Sequence, residues 1–160
     1  MKELEENYRV RLLAACLLKT RLTKTQARKI LGRSYVFYKT VLDSMRRSRL
    51  IKYTRYSVVT LISLTEQGRE WARKVAGGLD PTPVLTRIGA LTEDYYTLPE
   101  LVKKLKVHPS LLYDVLKKTR AGYRLLKDGK FVPSDESLKY RVWIVPKSKL
   151  HLVEKALKGG

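Results

Sequence analysis

Apolar residues recur at helical spacing through the first part of the chain, and the gaps between these stretches carry cap and turn residues. Leu4, Tyr8, Leu12, Ala15 and Cys16 fall on one stripe and predict a helix from Leu4 to Lys19. Thr23 is a good N-cap for a short second helix ending at Leu31, with Ala27, Ile30 and Leu31 facing inward, and Gly32 supplies the turn after it. Ser34 then caps a third helix whose inward stripe is Tyr38, Val41, Leu42 and Met45. Beyond it the pattern becomes β-rich over Leu50 to Arg55 and Val58 to Leu64, and Thr65 opens a fourth helix through Val75. The predicted order is α-α-α-β-β-α.

Ala76-Gly77-Gly78-Leu79-Asp80-Pro81-Thr82-Pro83 is the clearest break, because two glycines can end a helix and two prolines delay the next. It divides the chain into residues 1–78 and 79–160. The second part repeats the order of the first. Helices are expected over Val84 to Leu91, Leu98 to Leu105 and Pro109 to Thr119, where Pro109 suits the first helical position. A hairpin is expected from Tyr123–Lys127 through Asp128-Gly129 to Lys130–Val132, then a strand from Lys139 to Val145 and a last helix from Ser148 to Leu157.

Charge narrows the choice of partner. The chain of 160 residues carries a net charge of +19, and both parts are basic. Lys19 to Arg55 holds twelve Lys or Arg residues against a single acid, Asp43. Solvated faces usually mix signs, and a charged tail lacks apolar periodicity, so this cluster points to a polyanion and above all to nucleic acid.

Other classes have less to stand on. Cys16 is the only cysteine, so neither an intrachain disulfide nor a cysteine-based metal site can be built from one copy, and its place on a helical stripe assigns it to packing. His108 is placed as a helix cap beside Pro109, and His151 lies on the last helix; neither has metal or triad spacing. Gly77-Gly78 is not followed by the Lys and Ser/Thr of a phosphate loop. The expectation is a protein that is not an enzyme and takes no cofactor or metal. The apolar run Leu12 to Leu18 reads as a core helix, and no stretch approaches the roughly 20 apolar residues of a membrane span, so a cytoplasmic, nucleoid-associated location is expected.

Ala27-Arg28-Lys29-Ile30-Leu31-Gly32 with Ser34, then Leu42-Asp43-Ser44-Met45 and Leu50-Ile51, and finally Leu64-Thr65-Glu66-Gln67-Gly68-Arg69-Glu70 carry a resemblance. Over about Leu12 to Val75 the chain resembles the winged helix-turn-helix family, particularly the small transcription regulators of archaea and bacteria. The second part is similar in order, with Leu101–Leu105 followed by Ser110–Leu116, although Lys106 stands where a turn glycine is typical. The resemblance implies a mainly α fold with small β wings, as two tandem winged helix-turn-helix domains.

On that reading the helix 34–48 enters the major groove. Its outward face gives Tyr35, Val36, Lys39, Thr40, Asp43 and Arg47 as base-reading candidates, with Lys39 donating to guanine, Val36 touching a thymine methyl and Asp43 either accepting from cytosine or pairing with Arg46 or Arg47. Arg28, Lys29, Arg33, Ser34, Arg46, Lys52 and Arg55 are assigned to phosphates, which position the protein without selecting sequence. In the second part Ser110, Leu111, Tyr113, Lys117, Lys118, Arg124 and Lys130 are auxiliary or partner-binding candidates. Trp71 and Val75 are read as core in preference to a dimer seam, and Trp143 as core. Most tyrosines are read as packing or rim residues.

The function expected is that of a sequence-specific double-stranded DNA-binding transcription regulator. A plasmid-type replication or partition protein, or a winged-helix interaction module of the transcription machinery, are the alternatives, and the partners besides duplex DNA are a second copy of the chain or a protein of that machinery.

Overall fold

The computed structural model describes residues 7–32, 34–57, 59–125, 131–133 and 143–159. They form a mainly helical chain with two small antiparallel sheets, divided into compact units of residues 1–92 and 93–160.

The first unit opens with α1, Tyr8–Lys19, where the Asn7 side chain accepts the N–H groups of Arg9 and Val10. Every residue from Leu12 to Leu17 is buried, as is Val10, so α1 is enclosed nearly all round. Tyr8 is 64% exposed and lies off the core stripe expected for it. Strand β1, Leu22–Thr23, leads directly into α2, Lys24–Leu31. A reciprocal cap fixes that junction: Gln26 N–H donates to Thr23 Oγ1 at 3.1 Å while Thr23 N–H donates to Gln26 Oε1 at 2.9 Å. Gly32, at φ 115°, turns the chain into α3, Tyr35–Arg47, which buries Val41, Leu42 and Met45.

Strands β2, Ile51–Tyr56, and β3, Val59–Leu64, pair from Ile51↔Leu64 to Tyr56↔Val59, and Ser57, directly after β2, takes a left-handed conformation. β3 also pairs with β1, so the sheet order is β1-β3-β2. Thr65 then caps α4, Glu66–Ala76, by accepting Gly68 N–H at 2.9 Å, and its own N–H donates to the Leu50 carbonyl. A Cβ at Gly68 would lie 1.7 Å from that carbonyl oxygen. The glycine of the Leu64–Gly68 run is therefore the place where α4 backbone touches the start of the hairpin. Arg11 Nε donates to the Val75 carbonyl at 2.8 Å, tying α1 to the end of α4.

Gly77 and Gly78 end a helix without ending the compact unit. Leu79 N–H donates back to the Ala76 carbonyl, and α5, Thr82–Arg87, follows. Leu85, Ile88 and Ala90 are buried in the same core as α1, α3 and α4. The helix expected over Val84–Leu91 as the opening of a second half is α5, shorter than expected and packed into the first unit because its apolar residues complete that core. Trp71 and Ala76 are buried there too, with Val75 packed against them.

The second unit begins with β4, Tyr95–Thr97, and α6, Leu98–Leu105, joined by another reciprocal cap between Thr97 and Glu100. Lys106 follows as the C-cap in a left-handed conformation at φ 55°, where the C-cap of the corresponding helix in the first unit, Gly32, also has a positive φ but an extended ψ. Next come α7, Pro109–Thr119; β5, Tyr123–Leu125; β6, Phe131–Pro133; β7, Trp143–Pro146; a 3-10 turn, Lys147–Lys149; and α8, Leu150–Gly159. The sheet order is β4-β7-β5-β6. Setting β6 aside, β4-β7-β5 repeats the logic of β1-β3-β2: a short strand before a Thr-capped helix pairs with the strand that returns last. The core collects Leu101, Leu112, Leu116, Trp143, Val145 and Val153.

The expected Asp128-Gly129 turn and residues 139–142 of the expected last strand lie outside the described residues. The final helix starts later than Ser148, because Glu93 accepts both the Ser148 N–H (2.8 Å) and its hydroxyl (2.9 Å) and holds Ser148 in the preceding turn.

Candidate nucleic-acid interface

The burial of Val41, Leu42 and Met45 decides what α3 shows to solvent. Tyr35, Val36, Lys39, Thr40, Arg46 and Arg47 are exposed on the opposite side, and Asp43 is half-buried among them. Thr40, Asp43, Arg46 and Arg47 line one open depression. Ser34 sits at the start of this face, where its Oγ accepts the Phe37 N–H at 3.3 Å. Ser34 therefore serves first as a helix cap, so any phosphate contact falls to its hydroxyl proton and backbone.

Four cations of this surface lie over tyrosine rings. The Arg46 guanidinium lies 4.1 Å from the Tyr53 ring centroid, and Lys24 Nζ is 4.9 Å from the same ring. Arg28 lies over Tyr38 at 5.5 Å, and Lys39 Nζ is 5.6 Å from Tyr35, whose ring meets Tyr38 edge to face at 5.4 Å. A ring face is the negative side of its quadrupole, so each contact favours one placement of a long, flexible cation. Burial raises the Tyr53 phenol above its ordinary range; the Arg46 charge opposes this, and Asp43 and Tyr38 add to it. The ring therefore meets its cations as a neutral phenol. With Arg46 and Lys24 over it, Tyr53 is occupied by cations and offers little face for a stacked base.

The remaining phosphate candidates fall on neighbouring elements. Arg28 and Lys29 are exposed on α2, and Lys52 and Arg55 on β2. Arg55 Nε donates to the Ser57 carbonyl at 3.0 Å, which steadies it at the hairpin tip. Arg33 lies outside the described residues. The sequence reading missed Lys24, Tyr38 and Tyr53 as parts of this surface. Arg46 and Tyr53 meet only because the chain reverses from α3 into β2, and no local pattern marks that.

In the second unit the expected face on α7 is partly dismantled. Leu111 is 48% exposed, and Lys117 and Lys118 are exposed. Ser110 is tied to the helix cap, its N–H at 3.2 Å and its Oγ at 2.8 Å from His108 Nδ1. Tyr113 is half-buried and packs edge to face on Trp143, 6.3 Å between centroids, so it does not join an outward apolar face. Arg124 is half-buried with its Nε shut from solvent, because the register Arg124↔Trp143 puts it on the core side of the sheet. Lys130 lies outside the described residues. Cation–tyrosine contacts missed by the sequence reading occur elsewhere in this unit. Lys104 and Lys147 lie 5.8 and 5.5 Å from Tyr96, and Lys149 lies 4.8 Å from Tyr123. Lys147 is also paired with Asp94 at 3.0 Å.

Cys16 is buried, and burial pushes its thiol up to about 12, which leaves it protonated and unreactive at neutral pH. Among the described residues no helix is long and apolar enough to cross a membrane. Compared with protein-family models, curated proteins and solved structures, the chain matches none.

Proposed function

We propose that this chain is a sequence-specific double-stranded DNA-binding protein that acts as a transcription regulator. In this reading its units are winged helix-turn-helix domains, α3 enters the major groove, and the β2–β3 hairpin lies on the backbone. The observation that carries it is the outward face of α3: Lys39, Thr40, Arg46 and Arg47 exposed on a helix free of core duties on that side, flanked by Arg28, Lys29, Lys52 and Arg55 on the elements beside it. A helix fits the major groove, cations on adjoining elements suit the phosphates either side, and polar side chains between them can reach base edges. The order α1-β1-α2-α3-β2-β3 with sheet order β1-β3-β2 supports the winged-helix reading of the first unit. The recurrence of that strand order in β4-β7-β5 supports a related second unit.

Fluorescence anisotropy on labelled duplexes tests this. With some six to ten phosphate contacts, affinity falls roughly 10³ to 10⁵-fold between about 50 and 200 mM salt. Lys39→Ala or Thr40→Ala costs roughly 1 to 3 kcal/mol on a duplex selected from a random pool and leaves random DNA nearly unaffected, whereas Arg55→Ala weakens both alike. A flat salt titration overturns DNA binding; equal losses on selected and random DNA for all three variants overturn α3 as the reading element.

A further inference from the structure

Two residues of the α3 face do not fit a surface made only for phosphates. Val36 is 72% exposed and Tyr35 58%, both in the first turn of the helix and beside Lys39 and Thr40. A β-branched residue is a weaker helix former than the straight-chain polar residues common at solvated positions, and in solvent Val36 recovers nothing through burial. Tyr35 is not loose, since the Tyr38 edge and the Lys39 ammonium hold its ring. The most cationic stretch of the chain thus carries a branched aliphatic group beside an exposed aromatic ring. Phosphate oxygens offer the Val36 side chain no partner, and of Tyr35 they can use the hydroxyl but not the ring. In the major groove the apolar group on a base edge is the 5-methyl of thymine.

We propose that the first turn of α3 reads thymine through apolar contact of Val36 and Tyr35 with its 5-methyl group. The preferred duplex then carries a thymine, or another 5-methylated pyrimidine, facing that turn, while Lys39 and Thr40 read the polar edges alongside. The proposal rests on the DNA-binding reading above and names a base for it. It gives Val36 a task that neither helix propensity nor the core supplies. The surrounding cations bring the duplex to the surface, and the methyl contact chooses among duplexes of equal charge.

Replacement of thymine by uracil isolates the methyl group, because uracil keeps the charge, the base pairing and the O4 acceptor. The full chain is titrated at fixed salt with a duplex selected from a random pool, and then with copies in which each thymine in turn is replaced by uracil. One or two replacements weaken binding by about fourfold each, the equivalent of ~0.8 kcal/mol for one buried methylene-sized group. Val36→Ser, which removes both γ-methyl groups from an exposed position, shrinks the difference at one of those positions and binds the uracil copy as well as the parent chain does. Strong duplex binding with no replacement changing affinity overturns the thymine assignment alone. A thymine preference that survives in Val36→Ser and in Tyr35→Ala overturns the residues assigned to it. Failure to bind any duplex overturns the functional reading, and this proposal with it.

Discussion

The Arg46 guanidinium lies 4.1 Å from the Tyr53 ring centroid, linking the last turn of α3 to the middle of β2. Lys24, at the start of α2, meets the same ring at 4.9 Å, so one tyrosine organises cations from two helices and carries no charge of its own. Free arginine and lysine side chains lose up to about 2 kcal/mol of rotamer freedom on being fixed, and a cation already held in place loses less of it when a phosphate arrives.

Tyr53→Leu should therefore weaken duplex binding by about 1 kcal/mol, roughly fivefold, while the slope of log affinity against log salt stays as it is, because no charge is removed. Tyr53→Phe keeps the ring and should bind like the parent. Arg46→Ala, by contrast, should lower the slope by about one. Anisotropy titrations at several salt concentrations separate the cases. An unchanged affinity in Tyr53→Leu would show that the ring does not position the cations.

Where the first unit ends decides which fragment folds. Leu85, Ile88 and Ala90 complete the core that α1, α3 and α4 build. Burying a Leu or Ile side chain contributes about 1.5–3 kcal/mol, so a fragment cut after Gly78 forgoes roughly 3–6 kcal/mol out of the 5–15 typical of a whole domain. Residues 1–92 should give a cooperative thermal transition by circular dichroism and retain duplex binding, while residues 1–78 should melt much lower or without a sharp transition. Equal stability of the two would mean that α5 is an appendage and that the glycine pair is the true boundary.

What was legible in the sequence follows the range of the forces involved. Helices α2, α6 and α7 coincide with their expected spans because cap and stripe both lie within a few residues: Thr23 with Gln26, Pro109 with Leu112 and Leu116. Strands β1 and β4 were not legible, since two or three residues have no period; they exist because β3 and β7 come back to pair with them. Lys106 shows the fold overriding a local preference, adopting a conformation that usually takes glycine. At the candidate site the outward face of α3 was readable as the complement of its buried stripe. The cation–tyrosine pairs, the inward turn of Tyr113 and the half-burial of Arg124 all depend on tertiary contact or strand register, and no spacing in the chain encodes them.

Gly68 offers a test of the junction on which the hairpin hangs. It lies in the first turn of α4, buried, with its N–H on Thr65 Oγ1, and the added Cβ of an alanine would meet the Leu50 carbonyl oxygen at 1.7 Å and the carbonyl carbon at 2.6 Å. The obstacle is backbone, and that same carbonyl accepts the Thr65 N–H at 3.0 Å, so relief requires α4 to move off the hairpin and stretch the bond that starts it. In an ordinary helix alanine would be the better residue by roughly 0.5–1 kcal/mol. Here Gly68→Ala should instead destabilise the first unit by about 3 kcal/mol or more, at or beyond the upper end of overpacking costs. Gly78→Ala, where an added Cβ meets nothing within 4 Å, is the matched control and should be close to neutral. Urea unfolding of the two variants decides the matter: a Gly68→Ala chain as stable as the parent would mean that α4 does not rest on Leu50, and that the Leu64–Gly68 run owes its glycine to something other than this contact.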